Sequence, residues 1–123
     1  MIIKKLGDVP SIEPPGYSGV SKQVALGPED GSGEIVLRYF SVAKGGATAC
    51  HEHDFPHLVK IEAGRGAVVD WEGKERPVVA GDYLYVGPGE IHCFRNVGGE
   101  PLQFICIVPI RGEQAGVCCS VPN

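Results

Sequence analysis

GGATACHEHDFPHLVKIEAG, residues 45–64, is the stretch on which the fold turns. His51, His53 and His57 lie between the bracketing glycines Gly45 and Gly64. In a strand, residues two apart point to the same face, so His51 and His53 project side by side. His57 lies four further on and keeps that parity across the bend suggested by Asp54-Phe55-Pro56. The run beyond obeys the same rule. Val59 and Ile61 share parity with His57, whereas Lys60 and Glu62 take the other face, the apolar-in, polar-out alternation of a half-buried strand.

A second stretch, GDYLYVGPGEIHCFRN at residues 81–96, supplies His92, and with it all four histidines of the chain are accounted for. His92 and Phe94 share one face of a strand, and Cys93 and Arg95 the other. Strands on opposite walls of a barrel would bring the four imidazoles together. A lone histidine on an apolar face is more often a hydrogen-bonded core residue than a ligand. Four in register reverse that expectation and point to one bound divalent metal ion.

The rest of the 123 residues reads as an all-β domain. Eighteen glycines and ten prolines punctuate short β-branched and aromatic runs, with no long helical period. Strands are expected near residues 2–5, 22–26, 34–42, 51–53, 58–63, 67–71, 75–79, 83–86, 92–96 and 102–108. So many short strands predict a sandwich or barrel, best a double-sheet jelly roll with an interior cavity. One domain over residues 1–123 is expected, with an N-terminal arm at 1–20 and a flexible tail at 112–123. The arm strand Ile2–Lys5, set apart by Pro10, Pro14 and Pro15, suits pairing with the sheet edge of a second subunit, which predicts a homodimer.

A net charge of −4 without a Lys/Arg run argues against nucleic acid or an anionic membrane as partner. The N-terminus lacks an apolar signal segment, and no apolar run approaches the roughly 18 residues of a membrane span. A cytoplasmic location is the expectation. Five cysteines, Cys50, Cys93, Cys106, Cys118 and Cys119, form an odd set without framework spacing, which favours reduced thiols. As strand neighbours of histidines, Cys50 and Cys93 should point away from the cavity. Cys118 and Cys119 fall in the tail, where metal binding, oxidation and a frayed terminus all stay open.

The two quoted segments, with their glycines and joint spacing, resemble the two sequence motifs of the cupin superfamily. Two departures stand out. His57 occupies the place where the first motif usually has glutamate, and Gly87 precedes Pro88 where the second usually has proline. The resemblance is nearest to small single-domain four-histidine cupins, some of which hold manganese and are linked to oxidative chemistry. It implies a jelly-roll barrel and metal-ligand roles for His51, His53, His57 and His92. It also implies manganese or iron as the ion, although zinc, nickel and copper are equally at home among imidazoles. A three-histidine site with His57 outside the coordination shell is the alternative.

Four neutral ligands would leave the ion its full +2 charge, and two open positions would admit a chelating small molecule or one substrate oxygen plus dioxygen. Phe94, Phe104 and Cys106 are candidates to line the cavity. Arg38, on one face with Val36 and Phe40, either enters the cavity as a cation or pairs with a surface acid. Tyr83 and Tyr85 are the nearest phenols, read first as ordinary strand residues. The leading functional expectation is an oxygenase acting on a small oxygenated or aromatic molecule. Non-redox isomerase or lyase chemistry and non-catalytic small-molecule binding are the rivals.

Overall fold

The computed structural model describes residues 1–50 and 52–114. Eight strands follow in order: β1 (Ser18–Leu26), β2 (Ile35–Ala47), β3 (His57–Ala63), β4 (Arg65–Val69), β5 (Glu75–Val79), β6 (Tyr83–Val86), β7 (Cys93–Asn96) and β8 (Leu102–Pro109). A single helical turn, α1 (Ile110–Gln114), closes the described chain. The strands form one curled antiparallel sheet in the order β5-β4-β7-β2-β8-β3-β6, with β1 pairing to β2. Curling places β7 and β3 on facing walls of a jelly-roll half-barrel.

Alternation along the long strands decides which face curls inward. On β2, Val36, Arg38, Phe40 and Val42 are buried, while Leu37, Tyr39 and Ser41 are only partly covered. On β3, His57, Val59 and Ile61 point in, as their parity requires. On β8, Leu102, Phe104, Cys106 and Val108 do the same, although residues 104–108 are apolar on both faces. Phe104 stacks on Phe40 at 5.1 Å and on Phe94 at 4.6 Å, ring centre to ring centre, so one aromatic column ties β2, β8 and β7. Gly64 makes the reversal from β3 to β4 at φ +85°. A Cβ there would lie 2.4 Å from the Pro101 carbonyl oxygen, so no side chain fits.

Three expectations need correction. Residues 2–5 form no strand. The arm instead makes a 3₁₀ turn at Leu6–Asp8 and folds against its own chain: Lys4 Nζ meets the Asp30 carboxylate at 2.8 Å, and Gln23 Nε2 donates to the Leu6 and Val9 carbonyls. Glu52 and His53 are not extended strand but part of the loop entering β3. Residues 110–112, too short to carry a helical period, nevertheless start α1, which therefore covers the first residues of the expected tail. Cys118 and Cys119 lie outside the described residues.

Candidate metal centre

His57 is the first residue of β3, paired across to Val86 at the end of β6, and it is 1% exposed. His92 lies one residue before β7, 3% exposed, with its Nδ1–H donating to the Glu90 carbonyl at 3.0 Å. That bond fixes the tautomer and leaves Nε2 unprotonated. His53 comes from the loop. Its ring stacks on buried Phe55 at 4.7 Å, and Phe55 in turn lies 5.2 Å from His57. One ring nitrogen from each of His53, His57 and His92 falls within 4.8 Å of the others. The fourth candidate, His51, lies outside the described residues.

The donors fit a divalent cation. Both ring nitrogens of His57 are buried and find no hydrogen-bond partner among the described residues. A buried imidazole with neither nitrogen satisfied costs free energy that a metal bond would recover. Nitrogen-only donors of this type suit zinc, copper, iron or nickel.

The loop that presents His53 is held from behind. Gly112 of α1 packs against the Phe55 ring, where a Cβ would come within 2.8 Å of ring carbons. Arg111 lies over the same ring at 6.0 Å and donates to the Asp54 carbonyl at 3.2 Å. Phe55 and α1 thus set the position of a candidate ligand. Neither carried a signal in the sequence beyond the apolar character of Phe55.

Cys50 and Cys93 form a disulfide, with Cα atoms 4.4 Å apart. This corrects the expectation of reduced thiols. An odd cysteine count does not tell which two residues the sheet brings together. Beyond Ala47, which pairs with Arg95, the Thr48 N–H donates to the Phe94 carbonyl and the Phe94 N–H to Thr48 Oγ1, both at 2.9 Å. The β2–β7 ladder therefore continues past the strand ends and brings residues 50 and 93 together. The bond joins the residue before His51 to the residue after His92.

Arg38 resolves both readings at once. It is fully buried on the inner face and also meets an acid, Glu113 of α1, at 3.7 Å. Lys22, 6% exposed, meets the same carboxylate at 2.9 Å. Arg38 also donates to Cys106, through Nη2 to Sγ at 2.9 Å and through Nε to the carbonyl at 3.4 Å. Cys106 is therefore a hydrogen-bond acceptor rather than a plain apolar contact. Phe94 provides the expected apolar wall, 6.3 Å from His92, with Phe104 stacked behind it. Tyr83 and Tyr85 stand on the outer face, 76% and 65% exposed.

A groove of ≈370 Å³ runs between the β4–β5 and β6 edges and reaches His92. Val68, Val78, Leu84 and Val86 give it apolar walls, and Arg76 and Glu90 are among its polar residues.

Residues 38–108 match the cupin domain family, well over half of the chain. The chain belongs to the cupin family. This cupin is similar in structure to the polyketide cyclase RemF from Streptomyces resistomycificus, with a TM-score of 0.84 and 25% identity, over 89% of this chain and 80% of the other. It shares its fold with a predicted oxalate decarboxylase from Thermotoga maritima, with a TM-score of 0.77 and 23% identity, over 88% and 98% of the two chains. An oxalate-binding protein of Thermotoga maritima is 34% identical over 58 residues, 47% of this chain. That match spans 46% of the relative's length, under two thirds of it.

Proposed function

We propose that this cupin is a metal-dependent enzyme acting on a small molecule that offers two oxygen donors, of the β-dicarbonyl or dicarboxylate type. His53, His57 and His92 hold one divalent ion, and His51 completes the set by its place in the motif. The observation that carries this reading is the convergence of three imidazole nitrogens within 4.8 Å. The groove reaching His92 supplies room for a ligand. The similarity to a polyketide cyclase and to an oxalate-binding protein supports the ligand class, because polyketides and oxalate both present closely spaced oxygens.

The ion, when bound, acts as a Lewis acid that polarises the ligand's oxygens. The chain does the rest. The Glu90 carbonyl keeps the His92 proton on Nδ1. Phe94, with Phe104 stacked behind it, makes an apolar wall beside His92 that limits water. Val68, Val78 and Val86 hold the ligand's carbon skeleton. Arg38 is committed to Cys106 and Glu113 and serves the barrel rather than the ligand. The oxidative reading expected from the sequence differs in needing a redox-active ion.

Protein loaded separately with zinc and manganese, and given acetylacetone in deuterated water, tests the proposal. Both forms should exchange the hydrogen between the carbonyls faster than buffer does, and His57→Ala or His92→Ala should lose about 100-fold or more of that acceleration. Oxygen consumption by the manganese form alone would instead establish the oxidative chemistry. Failure of the wild-type chain to bind any divalent ion would end both readings.

A further inference from the structure

The sheet does not close on itself. Its order begins at β5 and ends at β6, and among the described residues β5 pairs only with β4 and β6 only with β3. The groove that reaches His92 lies at this open seam and is lined from both edge strands.

Register sets one cation on the inner wall of the seam. Directly opposed residues of an antiparallel pair share a face. Phe94 of β7 opposes Val68 of β4, and Val68 opposes Arg76 of β5. Phe94 and Val68 are 2% and 8% exposed, so this row lies on the inner face. Val78, two residues along β5 from Arg76 and 7% exposed, agrees. At the usual strand spacing the row runs about 10 Å from Phe94, the wall beside His92, to Arg76. Arg76 stays exposed although it is on that face, because β5 is an edge strand.

Arg76 is also the groove's uncommitted charge. The lining carboxylates each close a turn of their own chain. Asp70 accepts from the Glu72 and Lys74 N–H groups at 3.0 Å, Asp82 from the Val79 N–H at 2.8 Å, and Glu90 from the Gly87 N–H. The Arg76 guanidinium makes no ion pair and no hydrogen bond among the described residues. It therefore presents a planar fork of N–H donors to an occupant of the groove. The carboxylates disfavour an anionic group elsewhere along the groove, so Arg76 is where one would be met by a matching charge.

We propose that Arg76 anchors a carboxylate of the ligand, which makes the ligand an oxo acid. Closely spaced oxygens at one end serve the histidine site, a carboxylate at the other end meets Arg76, and a short apolar linker joins them. The inference rests on the reading of the histidines as a metal centre. Val68, Val78 and Val86 lie in the groove between the two poles and suit the linker. A guanidinium takes a carboxylate through parallel N–H···O bonds, which selects a planar oxyanion over a hydroxyl. Arg76 touches no reacting atom, so it acts on affinity and specificity.

Calorimetric titration of the zinc-loaded full chain with succinylacetone, a β-diketone with a terminal carboxylate, and with its methyl ester is the test. The acid should bind about 10-fold more tightly than the ester. Arg76→Ala should bring that ratio to about one, and Arg76→Lys should restore only part of it, since a point charge lacks the fork. Arg65→Ala, which removes the same charge from β4 outside the groove, should leave the ratio unchanged. A wild type that binds neither compound, or both equally, overturns the inference, as does an acid preference that survives Arg76→Ala. Hydrogen exchange of acetylacetone, which has no carboxylate, reports separately on the proposed catalysis. Loss of that exchange with an Arg76-dependent acid preference intact would remove the catalysis and leave the anchor standing.

Discussion

Breaking the Cys50–Cys93 bond tests how the two histidine segments are held together. The bonded residues are 43 apart in sequence. In the chain-entropy treatment, a loop of that length removes about 4 kcal/mol of conformational freedom from the unfolded chain. For a domain of this size that corresponds to roughly 15 °C in Tm. The perturbation is Cys50→Ser at the exposed position with Cys93→Ala at the buried one, so that no hydroxyl is left in the interior. Thermal melts of this double variant, and of wild type with and without a phosphine reductant, should place the reduced and double-variant forms together, well below the oxidised protein. Metal affinity should fall by about 10-fold as well, less than on loss of a ligating imidazole, because the Thr48–Phe94 hydrogen bonds still align the segments. Five titratable thiols in the denatured, unreduced protein would refute the reasoning. A double variant within about 0.5 kcal/mol of wild type would refute it too.

Glu113→Gln leaves Lys22 and Arg38 as buried cations short of a carboxylate, and should cost about 3 kcal/mol in urea denaturation at neutral pH. Phe55→Ala removes the ring on which His53 stacks and which Gly112 seats. It should cost about 3 kcal/mol in stability and about 10-fold or more in metal affinity by chelator competition. The Asp30 carboxyl is held below its usual 3.8, first by the hydrogen bond from Lys4 and next by that from the Gly27 N–H. Its contribution is complete above pH 3.8 and is lost as pH falls through the lowered value. Protection factors of the arm amides, taken against the intrinsic rate at each pH, should therefore fall only below pH 3.8, and Asp30→Asn should lower them at neutral pH.

The alternation of residues 57–63 and the paired glycine-bracketed segments were enough to read a β-barrel with histidines converging from two walls. Strand periodicity is local, two residues per repeat, and it needs no knowledge of neighbours. The same locality explains the misreadings. Parity assigned to residues 50–53 assumed a strand, yet Glu52 and His53 lie in a loop whose course is fixed by Phe55 against α1. Phe104, Cys106 and Val108 lie in a run apolar on both sides, so only pairing with β2 and β3 chose their face.

From the chain alone came the all-β class, the inward histidines His57 and His92 and the aromatic wall of Phe94, because each follows from side-chain direction along an extended backbone. Tertiary structure alone decided the rest. It joined Cys50 to Cys93, met Arg38 with Glu113, and set Arg76 in one row with Phe94. Each of these joins residues far apart in sequence, and their proximity is set by strand register and sheet curvature, which no local pattern encodes.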